Sequence, residues 1–163
     1  MFSPEIEEVV KHRSRALNIV WLALTFSVPI YAVVAYVVVS GQAAPVQSTD
    51  DILRIVFAAL AVIHALMAQG LWFFLMNNAS SQAANVGSQP AKTEVEKVLG
   101  KYFVAVLVVL AINESIAIFG MIDAILSGLL DRILIFVGAA LVLNFLRKPD
   151  AARFLNKVTS RTM

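Results

Sequence analysis

The stretch YFVAVLVVLAINESIAIFGMIDAILSG, residues 102 to 128, decides how this chain folds. It is apolar and long enough to cross a bilayer as one helix, since about 20 such residues span the hydrocarbon core. Glu114 lies about thirteen residues from either end. That spacing places its carboxyl group roughly 20 Å from each end, near the bilayer midplane. An ionised group is expensive at this depth, so Glu114 needs a partner or a task.

The composition is that of an integral membrane protein. Of the 163 residues, 60% are hydrophobic and 15% are charged, and the mean hydropathy is +0.81. There is no cysteine, so disulfides and thiolate metal sites are excluded. No nucleophile-base pair, phosphate loop or metal-ligand spacing is recognisable in the sequence. We therefore expect one all-α membrane domain, residues 1–163, that is not an enzyme, holds no metal or cofactor and binds no nucleic acid.

Four apolar segments predict four transmembrane helices, over residues 16–40, 52–76, 102–128 and 130–147. The fourth is the shortest, and Arg132 can snorkel at its outer end. A loop over residues 77–101 joins the second and third helices, and a basic tail over residues 148–163 follows the fourth. The first segment is too long for the apolar region of a signal peptide. We interpret it as a retained helix, the alternative being cleavage within SGQAAPVQ, residues 40–47.

Charges outside the apolar segments predict the orientation. Lysine and arginine cluster before the first and third segments and after the fourth, whereas the two other connections carry acidic residues near their ends. The positive-inside rule then places both termini and the 77–101 loop in the cytoplasm, and we expect the inner membrane of a prokaryote. The charged stretches 4–15 and 91–101 have helical character. They either lie along the membrane surface or lengthen the first and third helices.

Two similarities at nearly equal offsets indicate an internal repeat. EIEEVV, residues 5–10, resembles EVEKVL, residues 94–99, and SVPIYA, residues 27–32, resembles SIAIFG, residues 115–120. The offsets of 89 and 88 residues predict two tandem hairpins in parallel orientation. Chance similarity between apolar strings is the alternative.

His64 is the second candidate polar residue inside the apolar segments. It borders a stripe of small residues, the kind of surface on which helices pack in lipid. The stripe consists of Ala58, Ala61, Ala65 and Ala68. His64 and Glu114 have similar predicted depths, so a contact between them is geometrically feasible. A neutral imidazole bonded to a nearby oxygen is the simpler interpretation.

Three further polar residues lie in the predicted helices. Gln69 and Asn113 are expected to form interhelical hydrogen bonds. Asp123 is nine positions beyond Glu114 and falls on the opposite face of the helix, nearer the outer boundary. There it could meet a neighbouring subunit.

The segment AINESIAIFGMIDAIL, residues 111–126, resembles the ion-binding helix of the proteolipid c subunits of rotary ATPases. In that family a run of the form Ala-Leu-x-Glu-x-x-x-Ile-Tyr-Gly-Leu carries the transported ion, and Gln89-Pro90 is similar to the Gln-Pro of its cytoplasmic loop. The resemblance covers about a tenth of the chain. It implies that Glu114 is the ion-binding carboxylate and that Ser115 is the hydroxyl residue that follows it in sodium-binding members.

The sequence also departs from the family pattern. Phe119 stands where the family has tyrosine, and this loss of a hydroxyl disfavours sodium relative to protons. The second helix has alanines and the bulky run Trp72-Phe73-Phe74 in place of a repeated glycine pattern. The acidic helix is the third, whereas the family has it second or fourth.

Two hypotheses remain open. In the first, the protein is an oligomeric, proteolipid-like membrane protein in which Glu114 binds or translocates protons, with Ser115, His64 and Gln69 as further ion-binding candidates. In the second, it is a structural or accessory membrane subunit, and Glu114 only forms an interhelical hydrogen bond. We expect a homo-oligomer in the lipid bilayer, alone or within a larger membrane complex.

Overall fold

A computed structural model describes residues 3–42, 51–83 and 91–159. These residues form five α-helices, and no strand occurs among them. The helices are α1 (Pro4–Ser40), α2 (Asp51–Ala83), α3 (Lys92–Ser127), α4 (Asp131–Leu146) and α5 (Ala151–Thr159). The all-α prediction is confirmed for this part of the chain. The Gln89-Pro90 pair and most of the considered cleavage segment lie outside the described residues.

The helices α1 and α3 are longer than the apolar segments that predicted them. They contain 37 and 36 residues, about 55 Å each, whereas the hydrocarbon core is about 30 Å thick. The charged stretches 4–15 and 91–101 continue these helices without a break. Pro4 opens α1 at the first helical position, where a missing N–H costs nothing. Of the two alternatives, stretches along the membrane surface or lengthened helices, the structure shows lengthened helices.

Three helices are long and apolar enough to cross a membrane, namely Pro4–Ser40, Ile52–Asn78 and Lys92–Ser127. This is consistent with a multi-pass membrane protein. The helix α4 has 16 residues, about 24 Å, so the fourth span stays a prediction. A tandem-hairpin repeat would pair α1 with α2, whereas α2 packs mainly against α3. The repeat therefore also stays a prediction.

The helix α3 is the centre of the bundle. It packs against α1, α2, α4 and α5, and α1 packs in addition against α4. Consequently α3 has buried residues on several faces, among them Val106, Val109 and Leu110. Its end is defined by Gly128, whose φ of 69° is the left-handed conformation that glycine adopts at helix termini.

The helix α5 lies within the segment that the sequence predicted to be a basic tail. It packs at the end of the bundle where α1 and α3 begin, which we call the basic end because Lys11, Lys97, Arg147 and their neighbours lie there. Ala151 and Leu155 of α5 are buried in a core cluster with residues of α1 and α3. One face of α5 is apolar and the other charged, so α5 covers this end of the bundle.

Candidate functional site

Glu114 lies against α1, where two hydroxyl groups meet its carboxyl group. Its Oε1 accepts hydrogen bonds from Ser27 Oγ at 2.5 Å and from the Tyr31 phenol at 2.7 Å. The Glu114 side chain is half-buried. Hydrogen bonds to an ionised group are about twice as strong as those between neutral groups. The two donors therefore offset part of the cost of placing a carboxylate between apolar helices.

The positions of the two donors follow from helix geometry. Ser27 and Tyr31 are four residues apart, so their side chains project from the same face of α1. Between them Val28 is fully buried, and Ala117, one turn beyond Glu114 on α3, is fully buried as well. The small side chain of Ala117 permits the close approach of a neighbouring helix. The result is a pair of hydroxyls aimed at one carboxyl group.

The Ser27 hydroxyl has two acceptors but one proton. Its Oγ lies 2.7 Å from the Leu24 carbonyl oxygen as well as 2.5 Å from Glu114 Oε1. When Glu114 is ionised, Ser27 donates to the carboxylate. When Glu114 carries a proton on Oε1, it donates to Ser27 Oγ, and Ser27 turns its own proton to the Leu24 carbonyl. Ser27 thus has an acceptor for its proton in either case, because both oxygens already lie within hydrogen-bonding distance of its Oγ.

A second polar contact lies one residue earlier on α3 and points towards α4. Asn113 Nδ2 donates to Asn144 Oδ1 at 3.1 Å, and Trp21 Nε1 donates to the Asn144 carbonyl oxygen at 2.9 Å. Asn113 and Asn144 are 1% and 0% exposed. The interhelical hydrogen bond expected of Asn113 is confirmed. Polar contacts near the depth of Glu114 therefore connect α1, α3 and α4.

The structure places His64 on the α2 side of α3. Its Nδ1 is 2.8 Å from the carbonyl oxygen of Leu60, and its ring packs edge-on against Phe119 at 4.9 Å between centroids. This is the simpler of the two interpretations of His64, an imidazole bonded to a nearby backbone oxygen. The hydrogen bonds to Glu114 come instead from α1.

Gln69 and Ser115 also form hydrogen bonds away from the Glu114 carboxyl group. Gln69 Oε1 accepts a hydrogen bond from Arg147, which follows α4, so Gln69 connects α2 with the basic end. The Ser115 hydroxyl donates to the Ile112 carbonyl at 2.6 Å within its own helix. Of the four residues considered for ion binding, Glu114 therefore has the interhelical hydroxyl contacts, and the other three lie in different surroundings.

Phe119 contacts α2, where its ring stacks with Phe57 at 6.4 Å and meets His64. It is five residues beyond Glu114, about 140° around the helix, and so cannot share the α1 face. The phenol that Phe119 lacks reaches Glu114 from Tyr31 instead. The hydroxyl is thus present, but another helix supplies it.

Asp123 forms an ion pair inside the chain. Its Oδ1 is 3.6 Å from Arg132 Nη1, and the two side chains are 2% and 15% exposed. Asp123 therefore has a partner at the start of α4. From the sequence we predicted that Arg132 snorkels and that Asp123 could meet a neighbouring subunit. In the structure the two side chains instead pair with each other.

Sequence reasoning did not identify Ser27 and Tyr31 as partners of Glu114, although a signal was present. Two hydroxyl residues four apart in the middle of an apolar segment define one polar face. Such a face is favoured at a helix–helix contact, where its hydroxyls can donate to a neighbouring helix. Ser27 and Tyr31 entered the sequence argument only as part of the repeated string SVPIYA.

Comparison of the chain with protein-family models, with curated proteins and with solved structures gives no match. The geometry around Glu114 therefore carries the functional argument.

Proposed function

We propose that this protein is a membrane protein whose Glu114 carboxyl group reversibly binds a proton. The observation that supports this most strongly is the placement of two hydroxyls, Ser27 and Tyr31, on a single carboxyl oxygen. The second acceptor of Ser27, the Leu24 carbonyl, gives the Ser27 hydroxyl a partner when Glu114 carries the proton. A carboxyl group in such a setting gains and loses a proton at small reorganisation cost.

The proton is a better ligand for this site than sodium. Sodium needs several oxygen ligands around it, and the two hydroxyls at Glu114 converge on the same carboxyl oxygen at hydrogen-bonding distance. The space between these atoms suits a hydrogen atom. The resemblance of residues 111–126 to proteolipid c subunits points to proton exchange as well.

The proposal includes a homo-oligomer with Glu114 near the subunit interface, alone or within a larger membrane complex. Two observations support it. The Glu114 side chain is only half-buried in the single chain, and beside its partners on α1 the large side chains of Phe26 and Ile30 are 67% and 57% exposed. Packing of a second subunit over this region would cover both, whereas lipid alone would leave the carboxyl group facing hydrocarbon.

The alternative is a structural or accessory subunit in which Glu114 holds helices in register. The same hydrogen bonds favour it, because they join α1 to α3 across 87 and 83 positions of the chain. The two functions differ in one respect. Register requires only an acceptor at position 114, whereas proton exchange requires an ionisable group.

Carbodiimide labelling tests the proton proposal, because the reagent modifies a carboxyl group in its protonated form. The protein in membranes or lipid nanodiscs is labelled over a series of pH values, and the modified peptide is identified by mass spectrometry. We expect labelling at Glu114 that decreases as the pH rises. Added sodium should leave the labelling unchanged, and protection by sodium at constant pH would assign the site to that ion.

The matched variant is Glu114→Gln, in which the amide oxygen still accepts hydrogen bonds from Ser27 and Tyr31. We expect it to fold with nearly unchanged thermal stability but to lose proton uptake, measured with a pH-sensitive dye in proteoliposomes. A Glu114 that stays unlabelled at every pH, together with unchanged proton uptake in Glu114→Gln, would assign the residue to helix register.

A further inference from the structure

A groove opens at the basic end, between residues 72–77 of α2, Tyr102 of α3 and the segment from the end of α4 through α5. Its volume is about 560 Å³. Aromatic rings form one wall: Tyr102 stacks on Phe154 with centroids 4.4 Å apart, and Trp72 meets Tyr102 edge-on at 6.4 Å. The Tyr102 hydroxyl accepts a hydrogen bond from the Asp150 N–H at 3.0 Å, which ties the wall to the start of α5. The groove is thus built by packed side chains from several helices.

The lining of the groove is strongly cationic. Arg147, Lys148, Arg153 and Lys157 line it, with Asp150 as the acidic residue among its lining side chains. The Asp150 carboxylate caps the start of α5, because its Oδ1 accepts a hydrogen bond from the Arg153 backbone N–H at 2.8 Å. Arg147, Lys148 and Arg153 by themselves outnumber this one carboxylate, and the excess of positive charge attracts an anion.

Arg147 is held in place on the groove wall. Its guanidinium donates to Gln69 Oε1 of α2 and lies over the Trp72 ring, 4.7 Å from the centroid. A guanidinium has five N–H donors, so these contacts leave others for a ligand. A pre-oriented guanidinium loses little entropy on binding an anion, and its geometry suits phosphate.

One side of the groove continues onto the apolar surface of the bundle. Phe73 and Leu146 line the groove and are 59% and 73% exposed. They belong to the ends of the apolar segments predicted as spans over residues 52–76 and 130–147, and a span that ends there would place them at the headgroup region. A ligand in this position meets positive charge at one end and an apolar surface at the other.

We propose that this groove binds the phosphate headgroup of an anionic phospholipid, with its acyl chains along Phe73 and Leu146. The charge excess accounts for the anion, and the apolar flank accounts for a lipid instead of a free phosphate. Basic grooves between helices at the cytoplasmic boundary are where such headgroups bind. The binding does not depend on proton exchange at Glu114.

Quenching of Trp72 fluorescence by brominated lipids tests the proposal. The chain has two tryptophans, so Trp21→Phe leaves Trp72 as the reporter. The full-length variant is placed in bilayers that contain brominated phosphatidylglycerol or, at the same mole fraction, brominated phosphatidylcholine. We expect a preference for the anionic lipid of at least about threefold, from the attraction of several basic side chains.

Charge variants locate the effect. In Lys148→Gln/Arg153→Gln the preference for the anionic lipid should fall to near unity. The matched variant Lys92→Gln/Lys97→Gln removes two charges at the same end but outside the groove, and it should keep the preference. The reversal Arg153→Glu changes an exposed side chain and provides a second test if the double variant is unstable. An equal loss of preference in both double variants would overturn the proposal, since it would show attraction to the whole basic end.

Two further outcomes are decisive. Inorganic phosphate at millimolar concentration should fail to relieve quenching by the brominated anionic lipid, because it lacks acyl chains. Relief by phosphate would assign the groove to a small phosphate ligand and overturn the lipid assignment. Equal quenching by the anionic and zwitterionic lipids would overturn it as well.

Discussion

The Tyr31 phenol donates a 2.7 Å hydrogen bond to Glu114 Oε1, which lies 83 positions later in the chain. The contact joins α1 to α3 near the middle of both apolar segments. It converts an isolated carboxyl group into one with an interhelical partner, and the Ser27 hydroxyl on the same face of α1 adds a second. The proposals and predictions for Glu114 rest on this arrangement.

Tyr31→Phe removes one of these donors and keeps the ring. We expect a loss of about 1.5–3 kcal/mol in the free energy of unfolding, the usual contribution of a hydrogen bond to a charged group. The control is Tyr36→Phe, because Tyr36 is on the same helix but 60% exposed. Equal effects of the two variants would argue against the Tyr31–Glu114 contact.

The Asn113–Asn144 pair predicts an asymmetry between single and double variants. Asn144→Leu leaves the Asn113 amide without its hydrogen-bond partner in a buried position, and should cost about 1–3 kcal/mol. Asn113→Leu/Asn144→Leu replaces both amides by apolar groups of similar size and should recover much of that loss. Denaturant titration of the purified protein measures both, with the exposed Asn18→Ala as a neutral control. Additive losses in the double variant would contradict the pairing.

The ion pair of Asp123 and Arg132 should be costly to break from one side. Asp123→Ala leaves a largely buried guanidinium unpaired, and we expect a destabilisation of about 3–5 kcal/mol. Asp131→Ala removes an exposed carboxylate one position before Arg132 and should change stability little. The charge swap Asp123→Arg/Arg132→Asp should restore part of the loss in thermal unfolding. If the swap is no better than Asp123→Ala, the pair does not stabilise the fold.

Gly120 of α3 lies directly against Phe136 of α4. A Cβ atom at this position would overlap the Phe136 Cβ, so the two helices would have to move apart. We expect Gly120→Ala to destabilise the protein by about 1–3 kcal/mol, as overpacking does. At Gly138 on α4 an added Cβ meets nothing within 4 Å. Gly138→Ala should therefore be neutral or stabilising by up to about 1 kcal/mol through helix propensity. A comparable loss of stability in both variants, measured by thermal unfolding, would refute the close packing of Gly120 against Phe136.

Much of the fold was predictable because hydropathy is a local property. The apolar segments 16–40 and 52–76 lie within α1 and α2, and segment 102–128 ends one residue beyond α3. The helical character of residues 4–15 and 91–101 was recognised as well. The lengths were underestimated because charged residues end an apolar segment without ending a helix. The helix α5 was missed for a related reason: a short, basic stretch has no strong apolar signal, and its helix is stabilised by burying Leu155 against α1 and α3.

The sequence identified the central residue of the candidate site, Glu114, but not its partners. Position and chemistry along the chain single out Glu114, because a carboxyl group in the middle of an apolar segment is expensive in any arrangement of helices. The same reasoning selected His64 by depth, and Gln69 was added as a polar residue of the second apolar segment. Depth does not say which face of a helix meets which neighbour, and in the structure these two residues contact Leu60 and Arg147.

The sequence alone determined that the chain is helical, that its apolar segments are long enough for a membrane, and that Glu114 lies near the middle of one of them. Only the tertiary structure decided that Ser27 and Tyr31 donate to Glu114, that Asp123 pairs with Arg132, and that a cationic groove forms at the basic end. The physical reason is that hydropathy and helical period depend on neighbouring residues. Hydrogen bonds and ion pairs between helices depend on which faces pack together, and that is a property of the assembled bundle.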